Sequence, residues 1–387
     1  MLSRTTSSQM SNSLVKYMAS TQGKFNKLST QLATQKKITS ITDDAVAAKS
    51  ILSAKREINL YNGYIKNMNN AEYELKAVND SLKGAKVQAS RALDVGLMAA
   101  NGTYSDTELN AFKQEIDGII QNLTNFANTN YAGTYLFSGA AILTKPYSLE
   151  DSPAQTFVDN GDGSYTKSVK DEDGNLTTYK MVNTGTEEAP VWKTTVTNPD
   201  SSTTTRDTEP NDWKIENSKN IVYNGSNDKR QVVIGAENLE EDISIIGSNL
   251  FGQGTVTTSA EFNPETKVMT GNVNTTGDVG VIASLTKLSS AIEISDMDAM
   301  YSAIDGIQKG LDHIAESDTK IGISLNRFDT LREAYDNNIT NLTSLKSSLE
   351  DADLTSLIAE WLQSQYALEA SYSLSSQMMG ISIMNYM

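Results

Sequence analysis

Cysteine is absent from the chain's 387 residues, and histidine occurs once, at His313. The first absence excludes disulfides, a thiolate nucleophile and cysteine-based metal sites. The second excludes a two-histidine zinc site, and with it an HExxH protease. On its helical stretch His313 reads as a surface or packing residue. Neither a GxSxG elbow nor a GxxxxGK[ST] or GxGxxG loop occurs, and Gly252-Gln253-Gly254 lacks both the third glycine and a βαβ setting. No run approaches the roughly 20 apolar residues of a membrane span. The start, Met1 to Ser8, has one charge and no apolar stretch of the secretory kind. Bases are scarce: 32 Lys and Arg stand against 48 Asp and Glu, a net charge of -16. That argues against binding nucleic acid or an anionic membrane, which requires a basic surface. These absences read as no enzyme, no cofactor and no metal site.

Proline is rare and confined. All six prolines (Pro146, Pro153, Pro190, Pro199, Pro210 and Pro264) lie in the middle of the chain. Proline breaks helix interiors at about 3 kcal/mol. The two proline-free flanks therefore predict long helices around a non-helical insert.

The flanks carry the matching pattern. Leu14, Met18, Thr21, Phe25, Leu28 and Leu32 alternate steps of four and three. Ile58, Tyr61, Ile65, Met68, Glu72, Leu75, Asn79, Leu82, Lys86, Ala89 and Leu93 continue the rule, as do Leu109, Phe112, Ile116, Ile119, Leu123 and Phe126. Towards the other end, Ile321, Leu325, Phe328, Arg332, Tyr335, Ile339, Leu342, Lys346 and Leu349 keep the same period. After a break at Glu350-Asp351-Ala352-Asp353, a last helix sets Leu354, Ile358, Trp361, Gln365 and Leu368 on one seam. A period of about 3.5 residues sustained this long predicts coiled coil. The helix near 45–100 would be about 80 Å long at 1.5 Å per residue.

Charge is segregated at the two ends. Residues 1–42 hold Arg4, Lys16, Lys24, Lys27, Lys36 and Lys37 and no acid, whereas residues 350–387 hold Glu350, Asp351, Asp353, Glu360 and Glu369 and no base. Opposite charge beside two apolar seams predicts that the first and last helices pair, within or between subunits.

The middle differs in kind. Asp159-Asn160-Gly161-Asp162-Gly163 and Asp171-Glu172-Asp173-Gly174-Asn175 are turn sequences; neither fits a calcium loop. Strands are predicted at Thr177–Val182, Ile221–Tyr223 and Gln231–Ile234. The fold class is mainly α with a β-rich insert: a long antiparallel helical rod or coiled coil formed by both termini, with a central β domain projecting outward. The expected parts are an N-terminal arm at 1–42, the N half of the rod at 43–145, and a β-rich outer domain at 146–280. The C half of the rod at 281–349 and a C-terminal arm at 350–387 complete the division.

The ends also carry a family likeness. Ile41-Thr42-Asp43-Asp44-Ala45-Val46-Ala47-Ala48 follows the basic helix, Asp43 or Asp44 serving also as helix N-cap. Asn130-Tyr131-Ala132-Gly133-Thr134-Tyr135-Leu136-Phe137-Ser138-Gly139 leaves the helical part, and Ile321-Gly322-Ile323-Ser324-Leu325-Asn326-Arg327 lies on the returning helix. The chain closes on Ile381-Ser382-Ile383-Met384-Asn385-Tyr386-Met387. In order and spacing these resemble the flagellin superfamily, and within it the hook-associated proteins of the hook–filament junction. Ala45 departs from the proline frequent there. The match covers about 1–140 and 295–387.

The resemblance implies a structural subunit joining hook to filament, with filament flagellin as the alternative. It implies an extracellular flagellar location, reached unfolded through the flagellum's own export apparatus with an export chaperone and without a cleaved signal. It implies assembly with copies of itself into a ring or tube, between the first hook-associated protein and flagellin. The candidate assembly residues are Leu14, Met18, Phe25, Leu28 and Leu32 on the first helix, and Leu354, Ile358, Trp361, Leu362 and Leu368 on the last. The Met-rich tail (Met378, Met379, Met384, Met387) reads as adaptable packing surface. The expectation for a free subunit is that 1–40 and 350–387 order only on assembly.

Overall fold

The protein is described here from a computed structural model covering residues 7–384, apart from 103, 152–154, 172, 187–188 and 279. Of the sequence features above, Arg4, Pro153, Glu172 and the closing Asn385–Met387 lie outside these residues, as do the side chains of Met378, Met379 and Met384. Two compact units divide the chain, one holding residues 1–66 and 330–387 and the other residues 67–329.

The proline-free flanks are helical. They comprise α1 (Ser7–Thr34), α2 (Ala45–Ala99) and α3 (Asp106–Ala127), then α5 (Val281–Glu293), α6 (Met297–Glu350) and α7 (Leu354–Met384). A short α4 (Gly247–Phe251) lies in the insert. α2 and α6 contribute residues to both units.

In the central unit the helices bury a continuous stripe. On α2 the fully covered residues include Met68, Ala71, Leu75, Val78, Leu82, Ala85, Ala89, Ala92, Val95 and Ala99. The expected seam ran through Glu72, Asn79, Lys86 and Leu93; the buried line instead passes one residue earlier at each of those steps. Alanine and valine there let neighbouring helices approach, and the longer polar chains move to the margin. Asn79 donates from that margin to Asp318 on α6. Gly84 serves a similar approach: a Cβ there would stand 2.6 Å from the ring of Phe126 on α3. The chain at 281–294 was expected as part of a rod. It forms the separate helix α5, packed on α3 and on strands, with every residue but Lys287 and Glu293 buried.

The insert is β-rich as expected. Strands β1 (Asn130–Tyr131) and β2 (Thr134–Tyr135) form a small hairpin. β3 (Tyr147–Asp151), β9 (Lys214–Tyr223), β12 (Gln253–Asn263) and β13 (Val268–Asp278) make an antiparallel sheet in the order β13-β12-β9-β3. β4 (Gln155–Asp159), β5 (Ser164–Lys170), β6 (Leu176–Asn183), β7 (Trp192–Thr197) and β8 (Thr203–Asp207) form an antiparallel meander in sequence order. β10 (Gln231–Val233) pairs with β11 (Glu240–Asp242). The turn at Asp159–Gly163 joins β4 to β5, with Gly161 at φ 74° and Gly163 at φ 80°, where glycine carries no Cβ penalty. Asp162 accepts the backbone N–H of Ser164 at 2.9 Å, so its carboxylate is used by the turn.

The meander is held by an aromatic cluster. Tyr165, Met181, Trp213 and Phe262 are buried together, with Phe157, Trp192 and Met269 packed against them. Tyr165 and Phe262 lie 4.6 Å apart by ring centroid. Beneath the sheet, buried Asp212 receives both Arg206 guanidinium nitrogens at 2.6 and 2.7 Å, and the Thr194 hydroxyl at 2.9 Å. Burial raises the Asp212 carboxyl, but these donors outweigh it and hold the group below the usual range.

Candidate assembly interface

The terminal unit brings α1 and α7 side by side, with Cα atoms within 8 Å. Small and polar residues share the contact line with apolar ones. On α1, Thr21, Leu28 and Gln31 are buried. On α7 the buried line is Leu357, Ser364, Leu368 and Ser371, with Trp361 half-buried among them. Phe25 packs on Trp361 at 5.6 Å between ring centroids, and the Trp361 indole N–H donates to Ser29 at 2.9 Å. The Tyr372 hydroxyl donates to Gln22 at 3.0 Å.

The ten candidate residues fall into three groups. Leu28 and Leu368 are buried in the helix pair. Leu14, Met18, Phe25, Leu32 and Trp361 are half-buried along it. Leu354, Ile358 and Leu362 are not in the pair: they are 41%, 45% and 39% exposed and share a different face of α7 with Tyr366. The expected α7 seam ran through Leu354 and Ile358. The observed one runs through Leu357, Trp361, Ser364, Leu368 and Ser371. Ser364 and Ser371 could have been found by asking which heptad allows the closest backbone approach.

The charge pairing between the helices takes another form than expected. Among the described residues no ion pair links Lys24 or Lys27 of α1 to Glu360 or Glu369 of α7. Lys27 pairs instead with Asp43 at 2.8 Å, and Glu369 accepts from Gln365 of its own helix at 3.1 Å. The cross-chain charge contact sits at the bends. Lys36 and Lys55 reach the same buried oxygen of Glu350 at 2.8 and 2.9 Å. Around it the backbone of Lys37 donates to the Glu350 carbonyl at 2.8 Å, and that of Ala352 to Gln35 at 3.0 Å. Gln31 closes the bend through its amide to the Lys37 carbonyl at 2.6 Å. Burial raises the Glu350 carboxyl, but the two lysines outweigh it and the group sits below its ordinary value. This clamp joins the segment after α1, the start of α2 and the end of α6. Lys36 and Glu350 belong to the basic and acidic ends whose pairing the segregated charge predicts, while Lys55 lies outside both.

The adjacent acids of the Asp43-Asp44 motif have different tasks. Asp44 caps α2, accepting the N–H groups of Val46 and Ala47 at 3.0 and 2.9 Å. Asp43 turns back to α1: besides Lys27 it accepts the N–H groups of Thr39 and Ser40 at 2.9 and 3.0 Å. Those partners, Lys27 foremost, hold its carboxyl far below the usual carboxylate range. Asp353 caps α7 through the Thr355 N–H at 3.0 Å. Where α2 and α6 meet in this unit, Tyr61 stacks on Tyr335 at 5.0 Å. The site is thus a set of helix surfaces, one part paired within the chain and another exposed.

Comparison with known proteins bears on these same helices. Residues 6–141 match the bacterial flagellin N-terminal helical region and residues 304–387 the C-terminal helical region, together more than half of the chain. Flagellar hook-associated protein 3 of Escherichia coli is 20% identical over 95% of this chain and 94% of its own length. Flagellin D of Vibrio cholerae is 23% identical, over 74% of this chain and 73% of its own. A solved Vibrio parahaemolyticus chain, provisionally described as a flagellar hook-associated protein, shares the fold. Its TM-score is 0.51 at 14% identity, over 80% of this chain and all of that one.

Proposed function

The chain belongs to the flagellin family, and from that premise we infer that it is a structural subunit of the bacterial flagellum, joining hook to filament at the hook–filament junction. The observation that carries the reading is the extent of the match. The hook-associated relative aligns over nearly the whole of both chains, insert included, whereas the flagellin aligns over about three quarters of each.

The mechanism follows from the helix surfaces. α1 and α7 cover each other along one narrow, partly polar line, and α7 keeps a second apolar face. A subunit so built gains most from neighbours that cover what its own chain leaves open. We read the ten residues at Leu14, Met18, Phe25, Leu28, Leu32, Leu354, Ile358, Trp361, Leu362 and Leu368 as the assembly set. Leu28 and Leu368 hold the pair, and Leu354, Ile358 and Leu362 face other subunits. The partners of this reading are copies of the chain, the first hook-associated protein below and flagellin above. Export through the flagellar apparatus, with a chaperone, is part of it.

Deletion of the gene tests the reading. Cells lacking the chain are expected to make and export flagellin but to lose it to the medium, since nothing seats it on the hook. Cells that keep short filaments would contradict the junction role and favour a filament flagellin.

A further inference from the structure

α7 has two apolar faces, and its own chain covers one. The covered face is the Leu357–Trp361–Ser364–Leu368–Ser371 line against α1. The other runs Leu354, Ile358, Leu362, Tyr366 in steps of four, with Tyr366 67% exposed. At 100° per residue this second stripe lies about a third of a turn from the first. Glu369 stands within it, three residues beyond Tyr366. A helix apolar on two faces is built to meet two neighbours.

A complementary surface lies on the first turns of α2. Leu52, Arg56 and Leu60 also step by four, on the side of α2 away from its buried Ile51 and Ala54. Leu52 is 61% exposed and Leu60 44% exposed, and with Arg56 and Asn59 they form an open surface on this helix. Lys49, Arg56 and Lys66 outnumber Glu57 on this stretch, whereas the second stripe of α7 carries Glu369 and no base. Two ridges spaced by four residues are the geometry of the commonest helix–helix packing. Both surfaces are exposed in one chain, so each is open to a different molecule.

We propose that the Leu354–Ile358–Leu362–Tyr366 face of α7 docks on the Leu52–Arg56–Leu60 face of α2 in a second copy of this chain, with Glu369 meeting Arg56. The contact joins two unlike surfaces, so each copy keeps one of each free. Such an interface grows by addition until it closes into a ring, or continues as a helix. The proposal rests on the reading of the chain as a subunit that assembles with itself. Copy-to-copy contact at these faces is its added content.

The absence of cysteine makes the test clean. Full-length chains carrying Leu52→Cys and Ile358→Cys are purified separately, mixed and oxidised. The mixture is expected to give disulfide-linked dimer several-fold above either variant alone, and above Val87→Cys mixed with Ile358→Cys. Arg56→Glu on the Leu52→Cys chain lowers that yield, as does Glu369→Arg on the Ile358→Cys chain. Both together restore it, which only a contact between copies can do. A yield no higher than the controls overturns the proposal, and so does equal linkage within a single variant. Linkage that ignores both charge variants removes the Arg56–Glu369 contact. The mixture is read apart from motility: a wild-type chain that restores the junction in deleted cells while the cysteine pair fails to link sinks only this contact. Linkage without restoration sinks the junction role alone.

Discussion

Residues 67–329 and the terminal unit (1–66 with 330–387) bury themselves differently. The central unit covers large apolar side chains such as Met68, Leu82, Ile116, Leu123, Phe137, Phe251 and Phe328 almost fully. Among its described residues the terminal unit buries five apolar side chains, Leu28, Ile51, Ala54, Leu357 and Leu368. It buries as many polar ones, Thr21, Gln31, Glu350, Ser364 and Ser371. Full burial of a Leu or Ile side chain contributes about 1.5–3 kcal/mol, while ordering each residue costs about 1–2 kcal/mol in backbone entropy. The central unit therefore has the means to stand alone. The terminal helices have little beyond what a neighbour supplies.

The comparison breaks most visibly at Leu362→Pro. Proline removes an α7 hydrogen bond and clashes with the preceding turn, at about 3 kcal/mol or more. The expected result is loss of incorporation at the hook and of swimming, while near-ultraviolet circular dichroism shows the aromatic-rich central unit melting as before. A matching drop in that melting would erase the distinction between the units.

Leu82→Ala probes the other side. Leu82 is fully buried in the central unit, so truncation is expected to cost about 2–5 kcal/mol, seen as a lower urea midpoint. Leu28→Ala, in the terminal pair, should leave that midpoint where it was. If both variants shift it equally, the chain unfolds as one cooperative body and the two-part account fails.

A smaller effect is expected at the clamp. Glu350→Gln keeps the shape and removes the charge that Lys36 and Lys55 share. Both lysines are more than a third exposed and can return to water, so the loss is about 1 kcal/mol. Because the folded carboxyl sits below its ordinary value of 4.5, its contribution is complete above that pH and fades as pH falls through the folded value. Amide exchange of residues 36–37 and 351–352 is expected to be level from pH 8 to 5 after correction for the intrinsic rate, and to quicken below about pH 4. Clamp amides that already loosen at neutral pH would assign the stability of this bend to other groups.

Smallest of all is the response of the α1–α7 pair to charge. Glu360→Lys should change its stability by less than about 0.5 kcal/mol, because no ion pair joins the two helices there. High salt should be equally mild. A strong salt dependence in the free chain would mean that the segregated charges do hold the pair together.

How much of this was readable in advance depends on the physical signal. Proline confined to the middle marked the helical flanks, because the cost of proline in a helix is local and large. The Asp-Gly-rich turns marked the meander, since the Gly161 and Gly163 backbone angles require glycine. Seam positions at Ala71, Val78, Ala85 and Ala92 were read one residue late, because large apolar residues draw the eye where close packing favours small ones. Ser364 and Ser371 were passed over for the same reason. The Lys36–Glu350–Lys55 clamp gathers residues 314 and 295 positions apart, and nothing in local spacing announces it. Charge segregation was legible, and Lys36 with Glu350 does join the two ends; the partners of the other charges were not, since sequence gives the sign of a surface and not what faces it.

Hydrogen–deuterium exchange of the full chain, free and then assembled, tests the central claim most directly. In dilute free chain the amides of α1 and α7 should exchange orders of magnitude faster than those of α2 between Met68 and Ala99. On assembly they should slow towards the same rate while the central unit stays as it was. Equal protection of α1, α7 and central α2 in the free chain, with no change on assembly, would contradict the account: the terminal helices would then be complete without neighbours.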